Sequence, residues 1–162
     1  MKWTSLLEIS PILVIAAIAF PLARIDIEEH RLPNKYTLPT MLYSLFAIGL
    51  VGLLNASWSR LVLALLLMFA TLVIGYFLSV KDLLGFGDSK FLASANLILG
   101  WFNPVLAIAA ITLGFGLAAF ASLLALARKR IGIRDRIALG PYLISSFLVI
   151  SLIPVTKFLG YY

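Results

Sequence analysis

A chain of 162 residues that is 62% hydrophobic and 12% charged, with a mean hydropathy of +1.07, is not a water-soluble domain, in which roughly a quarter of residues are charged. The absence of cysteine and the single histidine, His30, exclude disulfides, cysteine nucleophiles, Cys/His zinc sites and a triad needing a second histidine. Thirteen Lys and Arg against seven Asp and Glu, with a pI near 9.8, is the balance of an oriented membrane protein, and no nucleic-acid partner is expected.

A helix needs roughly 20 apolar residues to cross a hydrocarbon core about 30 Å thick. The apolar runs predict six such spans: Leu6 to Ala23, Thr37 to Leu54, Leu61 to Val80, Leu83 to Phe102, Pro104 to Ala127 and Ala138 to Phe158. The expected fold is therefore all-α and polytopic, a single membrane-embedded domain over residues 1–162. In the first span, Lys2 and Ala17-Ile18-Ala19 resemble a signal peptide with its cleavage site. Arg24, Arg31 and Lys35 follow that run while only Lys2 precedes it, so it reads as an uncleaved helix. Thr37 before Leu38 and Pro39 suits an N-cap with a first-turn proline, and Asn103-Pro104 suits a tight turn that restarts a helix.

Basic residues divide unequally between the two sides. Ten lie on the connections after helices one, three and five (Arg24, Arg31, Lys35, Lys81, Lys90, Arg128, Lys129, Arg130, Arg134 and Arg136), and three, Lys2, Arg60 and Lys157, lie opposite. The positive-inside rule then puts both termini outside and the connections holding Asp26, Asp88 and Asp135 in the cytoplasm. The run Arg128 to Arg136 reads as an orientation signal in contact with anionic lipid.

The acidic residues are Glu8, Asp26, Glu28, Glu29, Asp82, Asp88 and Asp135. Five of them gather at the end of helix one and the start of helix four. Asp26 and Asp88 each lie at a membrane boundary, where a carboxylate is costly unless it faces the bundle interior, a partner or water. Two simpler readings stand beside a functional one: Asp26 as an exposed acid paired with Arg24, and Asp88 as a first-turn acid favoured by the helix dipole. Gly85 and Gly87, in GFGDSK, permit unusual backbone angles or a close approach by another chain segment. Glu28 and Glu29 in a polar loop, His30 beside them, and Asp82 next to Lys81 read as solvated.

ARIDIEEHRLPNKYTLP, GFGDSK and ALGPYL, in that order, resemble the motifs of the type IV prepilin peptidase family, which includes the preflagellin peptidases. The resemblance covers essentially the whole chain. It implies a membrane aspartic endopeptidase of the GxGD kind that removes the basic leader of pilin-like precursors at the cytoplasmic face. Asp26 and Asp88 match the family's catalytic pair, Lys90 the lysine that often follows GxGD, and Gly140-Pro141 a structural motif. No cofactor and no metal are implied. Larger members carry a cysteine-bearing cytoplasmic domain and methylate their product; this chain has no cysteine, so peptidase activity without methyl transfer is expected.

Two carboxylates around a water can supply both base and acid for peptide hydrolysis. Like charges a few Å apart cannot both ionise cheaply, so such a pair shares one proton. Gly85 and Gly87 are candidate points of approach for an extended substrate, and Glu28, Glu29 and Asp82 candidate contacts for its basic leader. The main alternative is a small proton- or cation-coupled transporter using the same aspartates, which calls for carboxylates near the bilayer midplane. A noncatalytic assembly subunit and a protease of the presenilin type are the others.

Overall fold

The computed structural model describes residues 3–129 and 137–160. Asp135 and the Arg130, Arg134 and Arg136 part of the basic run, with the lipid contact expected of it, lie outside the described residues. Within them the fold is all-α, with six helices: α1 Trp3–Glu29, α2 Asn34–Leu54, α3 Trp58–Val80, α4 Phe86–Phe102, α5 Pro104–Ala127 and α6 Gly140–Gly160. Five are long and apolar enough to cross a membrane; α4, at 17 residues, is the short one.

The short helix is the centre of the protein. α4 packs on α2, α3, α5 and α6, while the outer helices close around it in the order α1, α2, α3, α5, α6 and back to α1. From Asp88 to Trp101 only Lys90 is not buried; Ser94 donates to the Lys90 carbonyl and Asn96 Nδ2 to Thr71 Oγ1 at 2.6 Å, while Asn96 Oδ1 is buried without a hydrogen-bond partner among the described residues. A helix buried on all sides needs no apolar stripe, which is why α4 tolerates Ser, Asn and Gly where the outer helices present Leu, Val and Phe to lipid. Gly100 and Gly75 give the closest approach between α3 and α4, since a Cβ at either would meet Leu67 or Ser89 at 2.7 or 2.5 Å.

The observed boundaries correct the expected ones where polar residues continue a helix. α1 does not stop at Ala23 but runs to Glu29, so Glu28 and Glu29 lie in its last turn and not in a loop. The charges end the apolar run without ending the helix, because Arg24 and Glu28 form an i,i+4 pair with Nε to Oε1 at 2.8 Å. α2 begins three residues before the proposed Thr37 cap: Pro33 holds the N-cap position, and the Thr37 hydroxyl donates back to the Pro33 carbonyl. Leu83 belongs to the end of α3 and not to the start of α4. Its N–H donates to the Leu78 carbonyl and that of Asp82 to the Ser79 carbonyl, a Schellman closure. α5 begins as expected, with Asn103 Oδ1 accepting from the Val105 N–H behind a first-turn Pro104.

Candidate active site

Asp26 and Asp88, 62 residues apart in sequence, line one cavity of about 430 Å³ at one end of the bundle. Both are buried, at 2% and 7% exposure. Asp26 is not paired with Arg24, which is taken by Glu28; its Oδ2 accepts the backbone N–H of Gly140 at 2.7 Å. That donor is the first residue of α6, so the carboxylate sits on the unsatisfied, positive end of a neighbouring helix. Asp88 does lie in the first turn of its own helix, but it is buried there. Its Oδ2 turns back towards Gly85, where an added Cβ would stand 2.6 Å away, and Oδ1 is buried without a hydrogen-bond partner among the described residues.

The three sequence motifs converge at this point through Leu32. Its carbonyl oxygen lies against Gly87 so closely that a Cβ there would collide with it, and its Cδ2 would be 2.9 Å from a Cβ on Gly140. Leu32 is thus wedged between the N-terminal turns of α4 and α6, which hold Asp88 and the donor to Asp26 respectively. Pro33 then caps α2, and Asn34 Oδ1 accepts a hydrogen bond from Lys90 Nζ at 2.7 Å, with the ammonium also 4.4 Å from the Phe86 ring centroid. Lys90 therefore anchors α4 to α2. Neither Gly85 nor Gly87 uses a left-handed backbone; no described glycine has positive φ. Their value is space, and in this structure segments of the chain itself occupy it.

Two residues read from sequence as solvated line the cavity: His30 and Asp82. Each follows the end of a helix and has positive φ, 53° and 55°. These left-handed caps terminate α1 and α3, that of α1 using the Asp26 carbonyl as acceptor for the His30 N–H at 2.8 Å. No sequence signal marks them, because helix ends of this kind usually carry glycine. Glu28 and Glu29 do not line the cavity; they are exposed and bonded to Arg24 and Arg31, each at 2.8 Å. Phe115, Ile137 and Leu139 supply apolar lining to the same cavity.

Two buried carboxylates facing one cavity, each set by a close-packed glycine, are a constellation for proton transfer and water activation. A family profile described as the type IV leader peptidase family matches residues 13–155. The chain belongs to that family. Comparison with curated proteins and with solved structures gives no significant match. The match runs from within α1 into α6 and so takes in all three converging motifs of the peptidase.

Proposed function

We propose that this peptidase is an aspartic endopeptidase in which Asp26 and Asp88 share a proton around a water and hydrolyse the leader from pilin-like precursors at the cytoplasmic face of the membrane. The observation that carries the reading is the opening of two buried carboxylates from different helices onto one cavity. The pair works as a unit: one oxygen takes a proton from water while the acid form hydrogen-bonds the scissile carbonyl, and the proton then passes to the departing amine. The Gly140 N–H fixes the orientation of Asp26, and Asp88 Oδ1, buried without a partner among the described residues, is where a shared proton or the reacting water would satisfy the site.

Both aspartates lie at one end of the bundle, at the C-terminal turn of α1 and the N-terminal turn of α4. That position favours a bond cut where a substrate helix leaves the bilayer, and weighs against transport, which calls for carboxylates at mid-depth. The ten-to-three distribution of basic residues supports a cytoplasmic setting for that end, with both termini outside. The test is incubation of the purified protein in detergent with pilin-like precursors, the products read by mass spectrometry. A single cut between a basic leader and the apolar helix is expected; intact precursors at every tested sequence would refute the assignment.

A further inference from the structure

At the end of the bundle opposite the aspartates, a second cavity of about 360 Å³ opens between the N-terminal turns of α1, α3 and α5 and the C-terminal turns of α4 and α6. Three charged side chains from three helices line it: Glu8 of α1, Arg60 of α3 and Lys157 of α6. Ile9, Leu106 and Ile153 form apolar wall between them. Among the described residues the ion pairs are Arg24 with Glu28 and Arg31 with Glu29, so no two of these three charges are in ion-pair contact, although Glu8 feels the charge of Arg60 across the cavity. The Arg60 guanidinium lies 6.0 Å from the centroid of the buried Trp101 ring. Two cations and one partly buried carboxylate around a common space complement a molecule that carries an anion and a cation together.

The depth of the cavity says where such a molecule comes from. Trp3 and Trp58 begin α1 and α3 at this same end and are 62% and 57% exposed. Exposed tryptophan marks the membrane–water interface, which puts Glu8, Arg60 and Lys157 at headgroup level. Below them Leu152 and Ile153 of α6 are exposed, an apolar surface continuous with the cavity wall.

We propose that this cavity binds the headgroup of an ethanolamine phospholipid, with the phosphate on Arg60 and Lys157 and the primary ammonium on Glu8. The acyl chains then lie over Ile153 and Leu152. A choline headgroup carries the same charges but has no N–H to donate to Glu8, and a glycerol headgroup has the phosphate without a cation. The site therefore ranks ethanolamine above both, whereas an electrostatic contact with the basic connections at the other end would rank the anionic glycerol lipid first.

The experiment uses the purified full chain in detergent with phosphatidylethanolamine, phosphatidylcholine and phosphatidylglycerol of identical acyl composition, retained lipid being read by native mass spectrometry. About tenfold preferential retention of phosphatidylethanolamine is expected, the worth of one charge-assisted hydrogen bond. Glu8→Gln should erase that preference and keep phosphate-dependent binding, while Arg60→Gln combined with Lys157→Gln should lower retention of all three lipids. Helical circular dichroism and a single elution peak establish that each variant is folded; should Glu8→Gln fail there, Glu8→Asp must weaken the preference instead. Equal retention of the three lipids by the parent, or an ethanolamine preference that survives the change at Glu8, overturns the proposal. Displacement of the lipid by equimolar glycerophosphoethanolamine, which has the headgroup and no acyl chains, overturns its assignment to a membrane lipid.

Discussion

At one end of this bundle Asp26 and Asp88 are buried, and motifs from three parts of the chain close around them; at the other, Glu8, Arg60 and Lys157 stand around a cavity with no ion-pair contact between them among the described residues. The aspartate end is held by backbone at van der Waals limits: the Leu32 carbonyl on Gly87 and the Gly140 N–H on Asp26. At the tryptophan end the close contact is Gly52 of α2 against Leu61 of α3, away from the charged groups, which reach in from separate helices. Reaction geometry tolerates little displacement, whereas a headgroup site can be assembled from long, adaptable side chains. The difference predicts where small substitutions do large damage.

The largest effect is expected from Asp26→Asn and Asp88→Asn. Each should reduce precursor cleavage by about 10⁴-fold or more, and the double variant should be little worse than either, because groups acting as one unit are not additive. Single-turnover assays on folded protein check this. Substantial cleavage by one single variant would remove that aspartate from the reaction.

Next come the glycines. Gly87→Ala forces the Leu32 carbonyl aside and Gly140→Ala crowds the Asp26 carboxylate, whose Oδ2 would stand 2.8 Å from the new Cβ. A displacement of this kind at a reacting group costs on the order of 100-fold in kcat. Gly49→Ala is the comparison: no atom lies within 4 Å of its Cβ position, so activity should hold and helix stability should rise by up to about 1 kcal/mol. Equal losses for all three alanines would show that the damage comes from helix glycines in general and not from the wedge.

Smaller effects separate the acidic residues. Asp82 lines the cavity, while Glu28 and Glu29 are exposed and already paired with arginines. Asp82→Asn should raise KM for a basic-leader precursor several-fold, and Glu28→Gln with Glu29→Gln by about twofold or less, since exposed pairs contribute about 0.2 to 1 kcal/mol. Both increases should shrink at high salt. The reverse ranking, measured in steady-state kinetics, would place the leader outside the cavity.

The smallest effect lies in the turn between α2 and α3, at the tryptophan end. Ala56 has φ 50° and is exposed, closing α2 with the same left-handed cap that Asp82 gives α3. Ala56→Gly should raise stability by about 0.5 to 1 kcal/mol with cleavage unchanged, as glycine relieves the strain of that backbone. Thermal melting is the readout. At Asp82 the same relief would come with loss of a carboxylate from the cavity, so Asp82→Gly should stabilise the fold and weaken substrate capture.

Membrane character, six apolar runs and the three motifs were legible in the sequence because each is local: hydropathy depends on composition within one span, and a motif on residues a few positions apart. Family membership, suspected from Asp26, Leu32-Pro33-Asn34, GFGDSK and Gly140-Pro141, needed nothing more. Helix ends were less legible. Arg24 and Glu28 pair along α1 and carry it past the apolar run, and His30 and Asp82 adopt a cap conformation that their side chains do not announce. What tertiary structure alone decided is that the shortest helix, α4, is the buried centre, that Leu32 fits between Gly87 and Gly140, and that the partner of Asp26 is a backbone N–H 114 residues away. Such contacts depend on which surfaces can approach when five outer helices close around one. That is a question of volume in three dimensions, to which spacing along the chain has no access.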